Sequence, residues 1–149
     1  MTSAEQSASQ HLGGLRLTLR ITLYCVTNHE VDVMRFQEFV KDQVFSPVLI
    51  ASELRTTKAE IAGTLGLGRD AFSRSSRVRA RKTQVRLRQM LEILNRVEDQ
   101  TGSPLAAYAW FRAEPLPGFG GATADSLLRE GKADQVHAYL DRIVAGGYA

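Results

Sequence analysis

The densest group of side chains able to bind a charged partner is a run of cations in the middle of the chain. Between Arg69 and Arg88 there are eight basic residues and a single acid, Asp70. The whole chain has 19 basic and 16 acidic residues, so the remainder outside this run is net acidic. Clustered Lys and Arg are the electrostatic footprint of a polyanion-binding surface. A solvated helix face, or one paired with acids elsewhere, would have the same composition.

Side chains that could perform catalysis are few and scattered. The histidines are His11, His29 and His137, and Cys25 is the only cysteine. None of them stands at a spacing that predicts a base beside a nucleophile. The segment 66–68 contains two glycines but lacks the Gly-Lys-Ser/Thr ending of a phosphate-binding loop. One cysteine allows no disulfide within the chain and does not favour a zinc cluster. We therefore expect a protein that is not an enzyme and binds no cofactor or metal.

Length and composition favour one globular domain or two tightly packed halves. The chain has 149 residues, and its 44% hydrophobic share is sufficient for a core. No apolar run approaches the roughly 20 residues that span a bilayer. The start, Met1–Gln10, is polar and lacks the features of a secretory signal. These properties predict a cytoplasmic protein without membrane contact.

Residues 57–74 have the pattern of a helix-turn-helix. Thr57 followed by Glu60 is a capping box, which predicts that a helix begins there. Gly66 can take the left-handed conformation that ends this helix in a tight turn. We expect a second helix to begin near Gly68–Arg69.

The second helix of this unit is expected to carry the DNA contacts. Its Phe72 would pack back onto the first helix and leave the polar side chains on the outer face. A helix in this position lies in the major groove and presents its early residues to base edges. We therefore expect base contacts from Arg69, Ser73 and Arg74, and phosphate contacts from Arg77, Arg79, Arg81 and Lys82. The alternative is a plain helical hairpin that binds no nucleic acid.

The rest of the chain is predicted to be mainly helical, with five to seven helices in all. Apolar spacing, Pro at a first helical position and glycines at helix ends place the boundaries. The predicted helices run onward from Val33 past Val44, from Pro47 to Leu54, from Thr83 to Thr101, onward from Ser103-Pro104, from Thr123 to Gly131, and from Ala133 to Ala145.

A β-strand is predicted only near the start of the chain. Residues 15–23 alternate strictly between apolar and polar side chains, which is the period of a half-buried strand. A lone strand needs a partner to satisfy its edges. Alternatively, Met34 is the true start and the upstream stretch is a mis-assigned extension. We therefore divide the chain into an N-terminal extension (1–33), a helix-turn-helix region (34–102) and a C-terminal domain (103–149).

The C-terminal domain carries a specific motif. It reads Trp110-Phe-x4-Leu-Pro-Gly-Phe-Gly-Gly-x-Thr, then Leu-Leu-Arg-Glu-Gly-Lys-Ala, then Val-x2-Tyr-Leu-Asp-Arg-Ile. This pattern resembles the C-terminal domain of the Xre/MbcA/ParS antitoxins. The resemblance covers about residues 46–149, with the helix-turn-helix preceding the domain as in that family.

The resemblance implies a type II toxin–antitoxin partner with a RES domain that degrades NAD or uses it for ADP-ribosylation. The antitoxin's C-terminal segment would cover the toxin's NAD-binding cleft. The resemblance also implies a homodimer or larger toxin–antitoxin assembly and repression of the operon through operator DNA. Carried over by position, the toxin-facing residues are Trp110, Pro115, Leu116, Phe119, Gly120, Gly121, Arg129, Tyr139, Ile143, Gly146, Gly147, Tyr148 and Ala149. Of these, Trp110 and Ile143 could instead belong to the core.

Two non-enzymatic functions therefore stay open. One is an antitoxin that binds both a toxin and DNA. The other is a helix-turn-helix transcription regulator whose C-terminal half dimerises or senses a ligand. A third interpretation keeps only the interaction module and treats the basic run as a nonspecific anchor. Steep salt dependence without a preferred DNA site would be its signature.

Overall fold

Seven helices and one β-hairpin are formed by residues 38–146, the part of the chain that the computed structural model describes. The mainly helical fold and the helix count expected from the sequence are confirmed for these residues. The strand predicted at 15–23 lies outside them, as do His11, Cys25 and His29.

The described residues form two short strands and seven helices. The strands are β1 (Val40–Lys41) and β2 (Val44–Phe45), and the helices are α1 (Pro47–Glu53), α2 (Lys58–Thr64), α3 (Ser75–Val78), α4 (Arg81–Thr101), α5 (Pro104–Ala113), α6 (Ala124–Arg129) and α7 (Ala133–Val144).

A β-hairpin replaces the described part of the helix predicted onward from Val33. Val40 of β1 pairs with Phe45 of β2 in an antiparallel register. Between the strands, Asp42 and Gln43 have φ values of 51° and 66°. Positive φ at both central residues is the requirement of a two-residue type I′ hairpin turn. The helical prediction was wrong here because apolar spacing alone does not reveal a tight turn.

The hairpin is held against α4 by Gln84 and Arg88. The Gln84 Oε1 atom accepts a hydrogen bond of 2.8 Å from the backbone N–H of Phe45. The Gln84 Nε2 atom donates to the carbonyls of Phe45, at 3.1 Å, and of Val78, at 2.8 Å. The guanidinium of Arg88 also lies 5.7 Å from the centroid of the Phe45 ring. These contacts join β2, the end of α3 and the first half of α4.

Several helix ends lie where the sequence predicted them. Thr57 and Glu60 form the expected capping box at the start of α2, and Thr123 and Ser126 form another at the start of α6. The long helix α4 ends at Gly102, whose φ of 81° is left-handed. The helices that form the C-terminal half therefore have locally encoded boundaries.

Helix α4 forms the centre of the fold. Its apolar stripe is buried, and it packs against β2, α5, α6 and α7. The Arg96 Nη2 atom of α4 donates 2.5 Å to Asp141 of α7, and Arg96 Nη1 lies 3.4 Å from Nδ1 of His137. The polar rim of the core thus also joins these two helices. The buried apolar residues of α4 are Leu87, Met90, Leu91, Ile93, Leu94 and Val97.

The first half of the predicted helix-turn-helix is present. Helix α2 is followed by the expected tight turn, in which Gly66 has a φ of 63°. The N–H of Leu67 closes this turn by donating 2.8 Å to the carbonyl of Ala62. Phe72 is buried in the core, as expected.

The second helix does not form at its predicted position, and that prediction was wrong. Residues 68–74 make consecutive turns, and α3 begins only at Ser75 and spans four residues. The carbonyl of Asp70 accepts from Ser73 N at 3.0 Å, from Ser73 Oγ at 2.8 Å and from Arg77 Nη1 at 3.3 Å. Arg74 is extended, with φ −131° and ψ 145°. Local side-chain hydrogen bonds thus replace the helical pairing of this carbonyl.

Candidate functional site

Residues 115–123, between α5 and α6, form a closed loop, named here the glycine loop. Pro115 and Thr123 form an isolated antiparallel bridge at its base. Just inside it, the N–H of Leu116 donates 2.8 Å to the carbonyl of Ala122. The N–H of Phe119 donates to Leu116, and that of Ala122 to Phe119. The loop is therefore fixed by its own backbone.

Three glycines give the glycine loop its shape. Gly118, Gly120 and Gly121 have φ values of 86°, 64° and 86°. A Cβ atom added at any of them would have no other atom within 4 Å. The requirement for glycine is therefore conformational rather than one of space. The open surroundings leave this backbone accessible to a partner.

The two large side chains of the loop differ in burial. Leu116 is only 2% exposed and belongs to the hydrophobic core. Its place in the isolated chain is therefore structural, although the resemblance counts it among the toxin-facing residues. Phe119 is half-buried, and its ring meets Tyr139 of α7 edge-on, with centroids 6.1 Å apart and an interplanar angle of 84°.

The loop and the last helix together form one surface. Ile143 follows Tyr139 by one helical turn, so both side chains share a side of α7. Both are half-buried. We name this surface the loop–helix face; it consists of Pro115, Phe119, Gly120, Gly121, Tyr139 and Ile143. The chain leaves α7 close to it, because the N–H of Gly146 donates 3.2 Å to the carbonyl of Ile143. Residues 147–149 of the predicted toxin-facing set lie outside the described part of the chain.

Two further residues of the predicted toxin-facing set lie elsewhere. Trp110 is partly buried and packs against the core. Arg129, at the end of α6, forms a bidentate ion pair with the buried carboxylate of Asp125. The Nε atom of Arg129 donates 2.9 Å to Oδ1, and its Nη2 atom donates to Oδ2. These hydrogen bonds raise the pKa of the Arg129 guanidinium. The side chain of Arg129 is still 51% exposed.

The seven residues predicted to contact DNA are all exposed. They run from the turns after α2, through α3, into the first turn of α4. We name this stretch, residues 69–82, the basic segment. The carboxylate of Asp70, its only acid, is paired with Arg77. The hydroxyl of Ser73 is engaged within the turn itself. The structure thus brings the predicted phosphate-binding cations together but places none of the predicted base-contacting residues on a helix.

Among the described residues, His137 is held in contacts between helices. Their His, Cys, Asp and Glu side chains form no group of three that could hold a metal ion. Within the same part of the chain, no helix has the length and apolar character needed to cross a membrane. His137 lies 3.9 Å from Glu92 and is further held by Arg96, so it joins α7 to α4.

These features define a mainly helical domain whose glycine loop is fixed by its own backbone and exposed at its glycines. Residues 96–146, from within α4 to the end of α7, match the family described as the antitoxin Xre/MbcA/ParS C-terminal toxin-binding domain. The resemblance of the C-terminal domain to these antitoxins, found in the sequence, is therefore confirmed over residues 96–146. This domain supports an antitoxin role with a toxin as partner. Comparisons with curated proteins and with solved structures give no match.

Proposed function

We propose that this protein neutralises a RES-domain toxin that consumes NAD, by covering the toxin's active-site cleft with its C-terminal segment. The match of residues 96–146 to a toxin-binding domain is the observation that carries this proposal. The choice of a RES partner rests on the motif that begins at Trp110 and ends at Ile143. We expect the two proteins to assemble in the cytoplasm, with the antitoxin as a homodimer or in a larger complex.

The loop–helix face is the proposed docking surface. Its aromatic pair, Phe119 and Tyr139, is half-buried and therefore already ordered before a partner binds. Partly buried aromatic side chains in a fixed geometry are typical binding hot spots, because little conformational entropy is lost on association. Gly146, which ends the described part of the chain, donates its N–H to the carbonyl of Ile143 in this face. Tyr148, two residues further along the sequence, supplies an aromatic side chain that could occupy the toxin cleft and compete with NAD.

The test is to express the protein encoded by the gene next to this one, with and without this chain, and to measure cellular NAD. The proposal expects that protein alone to deplete NAD and its co-expression with this chain to restore NAD. If NAD never changes, the RES assignment is wrong, and a transcription regulator with a C-terminal dimerisation or sensing domain becomes the better explanation.

Truncation tests the covering step separately. A chain cut after Ala145 should bind the toxin more weakly and restore NAD less, while its thermal unfolding stays close to that of the full chain. The matched control is Tyr148→Phe, which keeps the aromatic ring and should neutralise nearly as well. Full protection of NAD by the truncated chain would show that the C-terminal residues do not cover the cleft.

We further propose that the basic segment binds operator DNA and represses the toxin–antitoxin operon. The observation that favours this second function is the exposure of all seven residues predicted from the sequence. Phosphate contacts supply affinity and salt dependence, while base contacts from Arg69, Ser73 and Arg74 would supply sequence choice. Footprinting on the DNA upstream of the operon tests this. Protection of one site supports repression. Binding that is uniform along the DNA and sensitive to salt would instead show that the basic segment is a nonspecific anchor.

A further inference from the structure

The turn that precedes the basic segment lies directly against α6. A Cβ atom added to Gly66 would stand 3.3 Å from Cγ of Arg129 and 3.4 Å from its Cα. Arg69 follows Gly66 by three residues, so their Cα atoms are at most about 11 Å apart. The backbone of Arg69 thus lies near α6, although 60 positions separate Arg69 from Arg129 in the sequence.

A third cation reaches the same place from α4. A Cβ atom added to Gly131 would lie 3.6 Å from Nη2 of Arg86. Gly131 is two residues beyond Arg129, which places the Arg86 guanidinium beside the end of α6. The Nη1 atom of Arg86 is buried and has no hydrogen-bond partner among the described residues. Since this atom is buried, a phosphate can reach the Arg86 guanidinium only at its other N–H groups, of which Nη2 lies beside Gly131.

Two acids near this junction are already engaged. Asp125 is paired with Arg129, and Glu130 with Lys132, whose Nζ donates 2.6 Å to it. A guanidinium has five N–H donors, and Asp125 takes two of those on Arg129. The rest stay available on a side chain that is half exposed and held in one orientation. Arg residues with this fork geometry suit phosphate oxygens.

We propose that the nucleic-acid-binding surface continues from the basic segment onto the toxin-binding domain, where Arg86 and Arg129 contact phosphates of a DNA duplex. This inference rests on the proposed DNA binding and deepens it. Asp125 is then a positioning residue, which aims Arg129 at the phosphate backbone. A duplex is the partner that the surface fits, because it offers evenly spaced phosphates to cations contributed by the turn after α2, by α4 and by α6.

The experiment measures affinity for a mixed-sequence DNA duplex of about three helical turns across a range of salt concentrations. Each lost phosphate contact should reduce the slope of log affinity against log salt by about one. Arg86→Gln and Arg129→Gln should both do so and weaken binding several-fold at low salt. Arg142→Gln, which removes an exposed cation from α7, is the control and should keep the wild-type slope.

Two further variants distinguish the loss of a phosphate contact from a general loss of folded structure. Arg129→Lys keeps the positive charge beside Asp125 and should retain most of the wild-type salt slope. Asp125→Asn keeps Arg129 but frees its orientation, so affinity should fall while the slope changes little. If Arg86→Gln and Arg129→Gln bind with the wild-type slope, this inference is wrong while the DNA-binding function stands. If the wild-type chain does not bind the duplex, both are wrong.

Discussion

The ring of Phe119 lies edge-on to the ring of Tyr139, at 6.1 Å between centroids and 84° between planes. This contact joins the glycine loop to α7 across 20 positions of sequence. It places the loop beside the side of α7 that carries Tyr139. The contact therefore gives the loop–helix face its shape.

The Phe119–Tyr139 contact should be measurable as a coupling energy. In a double-mutant cycle with Phe119→Leu and Tyr139→Leu, the coupling in the free energy of unfolding should be about 0.5–1.5 kcal/mol, because edge-to-face rings gain more than their buried area explains. Chemical denaturation measures it. Pairing Phe119→Leu with Leu49→Ala, an exposed position on α1, should give additive effects. Additivity in the aromatic cycle would show that the rings do not hold the loop.

Leu116 should matter for folding rather than as a contact. Because Leu116 is 2% exposed, Leu116→Ala should lower the free energy of unfolding by about 2–5 kcal/mol. Leu49→Ala, at a position 39% exposed, should cost about 1 kcal/mol or less. Urea denaturation compares the two. A stable Leu116→Ala variant that fails to bind the toxin would instead place Leu116 at the interface.

Two glycines three residues apart should respond oppositely to the same substitution. Gly66 has a φ of 63° and lies against Arg129, so Gly66→Ala should lower the free energy of unfolding by at least about 1–2 kcal/mol. Gly63 is helical with no other atom within 4 Å of an added Cβ, so Gly63→Ala should raise it by about 0.5–1 kcal/mol. Thermal and urea unfolding check both signs. Equal effects would show that the chain does not need the left-handed conformation of Gly66.

The carboxylate of Glu60 should contribute a pH-dependent part of stability. The Thr56 hydroxyl, which donates 2.5 Å to it, and the backbone N–H of Thr57 hold the pKa of Glu60 below its ordinary 4.5. A depressed folded-state pKa stabilises the fold above the unfolded value, and this contribution is lost as pH falls through the folded value. The stability difference between wild type and Glu60→Gln should therefore shrink as pH falls below about 4.5.

The source of that pKa can be tested directly. Thr56→Val removes the largest cause of the shift and should raise the pKa of Glu60 toward 4.5, as followed by NMR titration of its side chain. Lys58→Gln, a change at a neighbouring exposed position of α2, should leave the pKa closer to its wild-type value. An unchanged pKa in Thr56→Val would show that the hydroxyl does not hold the carboxylate.

Helix ends and the toxin-binding motif were predictable because their signals are local. Thr57 with Glu60, and Gly102 after an apolar stripe, satisfy the backbone groups of their own helix ends whatever surrounds them. The motif from Trp110 to Ile143 was recognised in the same way. Its loop glycines and flanking helices lie close together in sequence.

The wrong predictions concern segments whose structure depends on competing contacts. Residues 40–45 have apolar spacing that fits a helix, yet Gln84 on α4 holds them as a hairpin. The turns at 68–74 persist because Ser73 and Arg77 bind the carbonyl of Asp70. A periodic pattern does not contain such side-chain hydrogen bonds, because they depend on how neighbouring elements pack.

By itself, the sequence determined that this protein is mainly helical, that it carries a basic segment, and that its C-terminal part has the antitoxin motif. Composition, spacing and capping residues are sufficient for these properties. Only the tertiary structure decided that Leu116 faces the core, that Phe119 meets Tyr139, and that Arg129 lies beside Gly66. Each of these depends on how elements distant in sequence pack, and their burial and contact energies are set jointly rather than by any local pattern.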